Sequence, residues 1–171
     1  MNDPAADAAF VVDFLNTVDV EKGSDVLSAR ATWQRWVAQR GLAPDALAVA
    51  RTTREALRAA VGDPTAEQVP LSHPLTVELD GKGPRLAASS AVGAVLAAAT
   101  RLAILGEWAR IKICPADDCL WAFYDRSRNR SRTWCSMRVC GNREKARAWR
   151  ERGTPERVTH IEPVDNPLSC G

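Results

Sequence analysis

Apolar residues recur at helical spacing from the start of the chain. Over residues 8–19, Phe10, Phe14 and Leu15 fall on one side of a 3.6-residue turn, and Val11 and Val18 extend the stripe, which predicts a short amphipathic helix. Gly23 and Ser24 interrupt it. Ser24 is the expected cap of a second helix, whose Leu27, Trp33, Trp36 and Val37 form a broad apolar side before Gly41 ends it. From Pro44 to Val61, Leu47, Ala50, Arg54, Leu57 and Val61 make a third periodic row, with Arg54 expected to snorkel from its apolar flank.

Gly62 to Pro74 carries three prolines and reads as a loop. The period then changes from helical to alternating. Leu75, Val77 and Leu79 alternate with Thr76, Glu78 and Asp80, and Asp80-Gly81-Lys82-Gly83 can turn the chain into a partner near Arg85 to Ala87. A lone hairpin is marginal, so it is expected to lie on the helices. Ser89 or Ser90 then caps a helix running through Val92, Val95, Leu96, Ala99, Leu102 and Ile104 towards Trp108. Trp108, Ile111 and Ile113 are expected to hold the C-terminal third against the helical body.

Four cysteines dominate that C-terminal third. Cys114, Cys119, Cys135 and Cys140 are spaced C-x4-C-x15-C-x4-C, two close thiolate pairs that can wrap one tetrahedral zinc. The Arg-rich segment between them offers little other means of forming a core. Structural zinc contributes roughly 10–16 kcal/mol, comparable with the whole stability of a small domain, so the module is expected to unfold without it. Two disulfides of a secreted protein are the alternative. No basic, apolar leader opens the chain, and Asp3, Asp7 and Asp13 interrupt its first apolar stretch, so a reducing cytoplasm is the expected compartment. Within the module, Leu120 to Tyr124 reads as a strand, Arg132 to Trp134 as its return, and Cys140 as lying near the start of a helix reaching Arg152.

The expected fold is therefore α+β and mainly helical. A helical N-terminal domain with one antiparallel hairpin spans residues 5–110, a small knuckle-hairpin-helix zinc module spans 111–152, and a tail spans 153–171. With 171 residues and 46% hydrophobic content the chain can bury a core, while its longest apolar run, Ala94 to Ala99, is too short and alanine-rich for a membrane span.

Charge changes the picture more than composition does. Arg126 to Arg157 holds eleven Arg or Lys against three acids, a net of +8, which leaves −6 for the remainder of a chain at +2 overall. Such a field draws polyanions or docks on the protein's own acids. A four-thiolate site has no open coordination position, so the metal is structural and activates no water. The two histidines, His73 and His160, sit in no nucleophile motif, and there is no phosphate-binding glycine loop. The chain is not expected to be an enzyme.

Cys135-Ser136-Met137 followed by Cys140-Gly141-Asn142-Arg143, with Phe123, Asp125, Ser127, Asn129 and Trp134 before it, resembles the CGNR zinc-finger domain. Asp13-Phe14-Leu15-Asn16-Thr17, Trp36 and Gly41-Leu42 resemble the opening of its usual companion, the ABATE domain. Together they cover nearly the whole chain. The resemblance implies a bacterial, intracellular protein described as a stress-induced transcription regulator, with zinc on the four cysteines named above. Cys170 matches nothing in the pattern. Gly141 permits close backbone approach or positive φ, Asn142 caps or bonds across the knuckle, and Arg143 reaches either Asp125 or a phosphate.

The functional expectation is DNA binding through the basic module, with Arg143, Arg147 and Arg150 on one face of the last helix and Arg126, Arg128, Arg130 and Arg132 adding backbone contacts. Ala146 and Trp149 are expected to hold that helix to the hairpin. A homodimer and a small-molecule effector are the further partners, the N-terminal domain sensing or dimerising. The competing reading is a small-molecule or enzymatic pocket lined by Asp13, Asn16, Trp36 and His73 and closed by the module. A third is a protein-binding patch formed by Trp121, Tyr124 or Trp149.

Overall fold

The computed structural model describes residues 3–152; the expected tail, with His160 and Cys170, lies outside the described residues. Helix α1 (Pro4–Leu15) starts where Asp3 accepts the Ala5 amide at 2.9 Å and where Pro4 fills a position whose N–H has no helical partner. It buries Ala8, Val11, Phe14 and Leu15. The stripe expected to reach residue 19 stops at Leu15, because Val18–Asp19 (β1) pairs antiparallel with Ser24–Asp25 (β2). Ser24 is thus a strand residue and no cap. Asp25 instead accepts the Leu27 amide at 2.7 Å and caps a single 3-10 turn, Val26–Ser28, ahead of α2 (Arg30–Ala38).

Helices α1, α2, α3 (Leu47–Ala60) and α4 (Ala91–Ile104) enclose one core, in which Trp33, Phe14, Leu15, Leu27 and Leu102 are fully buried. Trp33 stacks on Trp36 at 5.3 Å and meets Phe14 edge-on at 6.2 Å. Arg54 does not snorkel. It is 5% exposed and grips Asp25 through two bonds of 2.6 and 2.8 Å, with Thr17 Oγ1 accepting a third at 3.2 Å. Arg51 donates to the carbonyls of Leu27 and Ser28, so α3 is stitched to the β1–β2 corner by guanidinium groups as well as by apolar contact.

The hairpin forms in the expected place, β3 (Thr76–Asp80) against β4 (Gly83–Ala87), with Val77 opposite Leu86 and Leu79 opposite Pro84. It meets the helices only in part, through β4, whose Leu86 and Ala87 are half-buried and which contacts α4. Every residue of β3 is exposed, including Val77 at 64% and Leu79 at 79%, and the polar face holding Thr76, Glu78 and Arg85 is the one turned across an open cleft towards Ser90 and Gly93. Alternation shows that the two faces differ; it does not say which one meets the body.

Ser90 caps α4 by accepting the Gly93 amide. The helix stops short of Trp108, since Gly106 takes φ +69° and the Glu107 amide reaches back to the Leu102 carbonyl at 2.8 Å. After a 3-10 turn at Trp108–Arg110, β5 (Ile111–Ile113) pairs antiparallel with β6 (Ala122–Tyr124). This corrects the expected pairing: the partner of β6 lies before the first cysteine pair, and Arg132 to Trp134 form no strand. Ile111 and Ile113 carry apolar side chains to the main core, where Leu120 and Ala122 join them, so the core continues past residue 111. The final element is α5 (Asn142–Arg152). No helix among the described residues is long and apolar enough to cross a membrane.

Candidate metal centre and basic surface

Strands β5 and β6 bracket a tight knuckle. The Cys114 amide donates to Trp121 at 2.9 Å, and the Cys119 and Leu120 amides both donate to the Ala116 carbonyl. Leu120 has φ +48°, a left-handed conformation that costs a residue with a Cβ about 1–2 kcal/mol. It is held there by its own burial and by Arg58, whose Nη2 donates to the Leu120 carbonyl at 2.8 Å. The second pair is set by Ser136. Its hydroxyl accepts the Val139 amide and its carbonyl accepts the Gly141 amide, winding Met137–Gly141 into a π turn that returns Cys140 to Cys135.

The four Sγ atoms lie within 4.8 Å of one another, with Cys119 to Cys135 at 3.5 Å and Cys135 to Cys140 at 3.6 Å. Tetrahedral zinc with bonds of about 2.3 Å needs sulfur separations of about 3.8 Å, whereas a disulfide needs about 2.05 Å. The cage fits one structural zinc. Cys114, Cys119 and Cys140 are buried and Cys135 is half-buried. Burial pushes the Cys119 thiol up to about 11, and burial with the neighbouring sulfurs raises Cys135 further. Cys114 moves down despite its burial, because the Cys135 and Ala116 amides hold its thiolate. A divalent cation is what lets all four ionise together, at the expense of their protons.

Gly141 does not need positive φ. A Cβ there would stand 2.5 Å from Sδ of the flexible Met137 side chain and 3.1 Å from Trp134 Cδ1, so a larger residue would require both side chains to give way. Asn142 donates to the Arg138 carbonyl at 3.2 Å, a local structural bond.

The Arg-rich loop has its own anchor. Asp125, 0% exposed, accepts Lys112 Nζ at 2.7 Å and the Ser127 and Arg132 amides at 2.9 Å each, while Lys112 also reaches the carbonyls of Arg130 and Arg132. Burial opposes the Asp125 charge, but Lys112, Ser127 and Arg132 outweigh it and hold the carboxyl well below the usual range. Its stabilising contribution is therefore complete at neutral pH and is lost only in acid, below about pH 4. Asp125→Ala should cost about 3 kcal/mol and speed amide exchange at 126–132, measured by urea unfolding and hydrogen exchange of the zinc-loaded protein. Unchanged exchange there would show that something else orders the loop.

The seven arginines expected to act together have different surroundings. Arg126 and Arg128 are exposed, with no side-chain hydrogen bond or ion pair among the described residues. Arg130 lies 3.9 Å from Glu107. Arg132 donates to the Trp134 and Cys135 carbonyls and sits 5.0 Å over the Phe123 ring. Arg143 pairs with Asp118 at 2.9 Å, approaches Cys140 Sγ at 3.7 Å and does not reach Asp125. Arg147 lies between Asp117 and Glu144, and Arg150 Nε donates to the Ala146 carbonyl. Trp149 is 72% exposed and Ala146 is exposed, so neither holds α5 to the hairpin. Asp118 and Asp117 lie on the Arg143 and Arg147 side of α5, the less exposed of its two sides.

The four expected pocket residues do not converge. Trp36 is a core residue covered by the Arg40 guanidinium at 3.7 Å, and His73 lines the cleft under β3–β4. Asp13 and Asn16 line a separate groove of about 450 Å³ between α1 and β6, with Val12, Trp121, Phe123 and Arg126. There Asn16 acts as a strand substitute, donating to the Ala122 carbonyl at 2.9 Å and accepting the Ala122 amide at 2.8 Å, while Asp13 is paired with Arg40. Sequence reasoning missed Arg58, the second tie between helices and knuckle. Arg51, Arg54 and Arg58, at i, i+3 and i+7 on a helix otherwise rich in Ala and Leu, were the available signal.

The layered helices, the knuckle and the thiolate cage define a zinc-containing helical protein with a basic C-terminal module. A family model described as "Putative stress-induced transcription regulator", the ABATE domain, matches residues 8–118, and one described as "CGNR zinc finger" matches residues 110–153. The chain belongs to the ABATE family and carries its CGNR zinc finger at the C-terminal end of the described structure. No curated protein matches it.

Proposed function

We propose that this protein is a transcription regulator that binds DNA through the basic zinc module, with the N-terminal domain sensing an effector or forming a dimer. The observation that carries the reading is a run of exposed cations, Arg126 and Arg128 in the loop and Arg138 in the π turn, that the described chain leaves without an internal ion partner. Cations that stabilise nothing inside the fold are available for phosphates. Arg130, Arg132 and Arg150 complete the proposed contact set, while Arg143 and Arg147, expected as contacts from the sequence, are engaged within the module by Asp118 and Asp117. One short helix offers a small footprint, so two copies on one duplex are the form expected to reach useful affinity.

Selection from a random duplex pool at two salt concentrations tests the reading. An enriched motif, with affinity falling steeply as salt rises, is the expected result. Equal recovery of all sequences would leave only charge attraction, and no binding at low salt would end the assignment. A second reading is favoured by the groove at Asp13 and Asn16, to whose lining Arg126, without an ion partner among the described residues, contributes: a site for a small anionic molecule between α1 and β6. Failure of DNA binding would promote it to the primary function.

A further inference from the structure

Helix α5 presents two unlike sides. At about 100° per residue, Asn142, Lys145, Trp149 and Arg152 fall on one stripe, at i, i+3, i+7 and i+10. All four are exposed. Lys145, Trp149 and Arg152 make no side-chain hydrogen bond, ion pair or ring contact among the described residues, and Arg138 extends the same basic edge from the π turn. Arg143, Glu144 and Arg147 lie on the other side, only part-exposed, where Arg143 meets Asp118 and Arg147 meets Asp117.

The Trp149 indole, 72% exposed, offers a large flat apolar surface with a polar N–H, and on its stripe the residues one turn to either side, Lys145 and Arg152, are cations. We propose that the stripe Asn142, Lys145, Trp149 and Arg152, flanked by Arg138, is the surface that enters a groove of duplex DNA, and that Arg143 and Arg147 hold the helix from behind. This rests on the DNA-binding reading and names the face that performs it.

Charge complementarity selects the occupant, because the stripe carries two cations and no acid. An eleven-residue helix, about 16 Å long, suits the major groove. The side chains suit base edges. An asparagine amide can bond an adenine edge through two atoms, a lysine can donate to guanine or to phosphate, and an indole can cover a thymine methyl. Single-stranded nucleic acid is a poorer fit, since stacking of successive bases calls for a platform of several aromatic rings. Trp149 stands alone on its stripe.

The expected roles of the arginines are thereby reversed. Arg143 and Arg147 become positioning residues, whose ion pairs with Asp118 and Asp117 set the direction in which α5 projects from the zinc cage.

The test uses the zinc-loaded full chain and the duplex enriched by wild type. Trp149→Ala should weaken binding to that duplex about tenfold while changing random-duplex binding less than threefold. Lys145→Ala should lower the salt slope by about 1. Both variants should retain one zinc and the wild-type circular dichroism, because both side chains are exposed and neither makes a hydrogen bond, ion pair or ring contact among the described residues. Replacing thymine by uracil at motif positions should reproduce part of the Trp149→Ala loss in wild type and add little in the variant. Arg147→Gln should alter affinity for enriched and random duplexes by the same factor.

Wild-type affinity for the motif in both Lys145→Ala and Trp149→Ala would overturn the inference and leave the DNA reading standing. So would motif-specific loss confined to Arg143→Gln and Arg147→Gln with α5 intact. If wild type enriches no duplex, or binds single-stranded RNA or an acidic peptide more tightly at equal salt, the DNA reading fails and the assignment of this face fails with it.

Discussion

Stripping zinc from this protein should unfold the π turn and α5, residues 136–152, while β5, β6 and the helical core stay folded. The cage itself is what joins Cys135 and Cys140 to the knuckle, and its small apolar cluster of Cys114, Ala116, Cys119, Phe123 and Cys140 has little else to bind it. Ile111, Ile113, Leu120 and Ala122 belong instead to the main core and are stabilised without metal. The sequence alone predicts that the whole module unfolds; the packing of β5 and β6 on the main core narrows the expected loss to the C-terminal part. Hydrogen exchange read by mass spectrometry, with and without a strong chelator, should show near-complete exchange across 136–152 and retained protection at 111–113 and 122–124. Cys140→Ala should reproduce the pattern and abolish stoichiometric zinc. Protection of α5 in a verified metal-free sample would refute a metal-held module. Acid should release the ion as well, since protons compete for thiolates that only the cation keeps ionised.

Arg58→Ala should be the most damaging single substitution outside the cage. Arg58 is 3% exposed and makes three attachments at once: an ion pair to the buried Asp63 at 2.5 Å and hydrogen bonds to the carbonyls of Leu15, at 2.9 Å, and Leu120, at 2.8 Å. Truncation leaves the buried Asp63 carboxylate with Thr65 as its remaining partner and removes the Arg58 donor from two carbonyls, a loss of about 3–5 kcal/mol, or roughly 10 °C in Tm for a chain of this size. Arg85→Ala, which breaks an exposed pair with Glu78, should stay within about 0.5 kcal/mol and serves as the control. Burial opposes ionisation of Asp63, but Thr65 and Arg58 more than offset it and hold the carboxyl below its ordinary value. A depressed folded pKa stabilises above the unfolded value, near 4, and that contribution disappears as pH falls through the folded one. Losing Arg58 removes part of the depression, so the variant should unfold at a higher pH than wild type in an acid titration. Equal Tm values for Arg58→Ala and Arg85→Ala would contradict this account.

The same contacts show why the site was only partly legible. Arg54, Arg58 and Asn16 looked like a snorkelling side chain, an unremarked helix residue and a pocket residue. They serve instead as long-range ties, to Asp25, to Leu120 and to Ala122, the last two across separations of 62 and 106 residues. No local pattern encodes such a partner. The arginines of the module illustrate the same limit, because a guanidinium on a reachable aspartate and one left for a phosphate are written with the same letter. Spacing placed Arg143, Arg147 and Arg150 near one another; only the folded chain brings Asp118 and Asp117, in the turn between the first two cysteines, to the first two of them.

By itself the sequence determined the metal, its four ligands, the four helices of the body, the β3–β4 hairpin and the helical entry at Cys140. These depend on periodicity, turn chemistry and thiolate spacing, all of which act over a few residues. Tertiary structure alone decided that β6 pairs with β5, that the hairpin turns its apolar face outward, and that Trp149 stands on the open side of α5. Those outcomes depend on which surfaces meet when distant segments pack, and burial and charge pairing assign that only once the whole chain is folded.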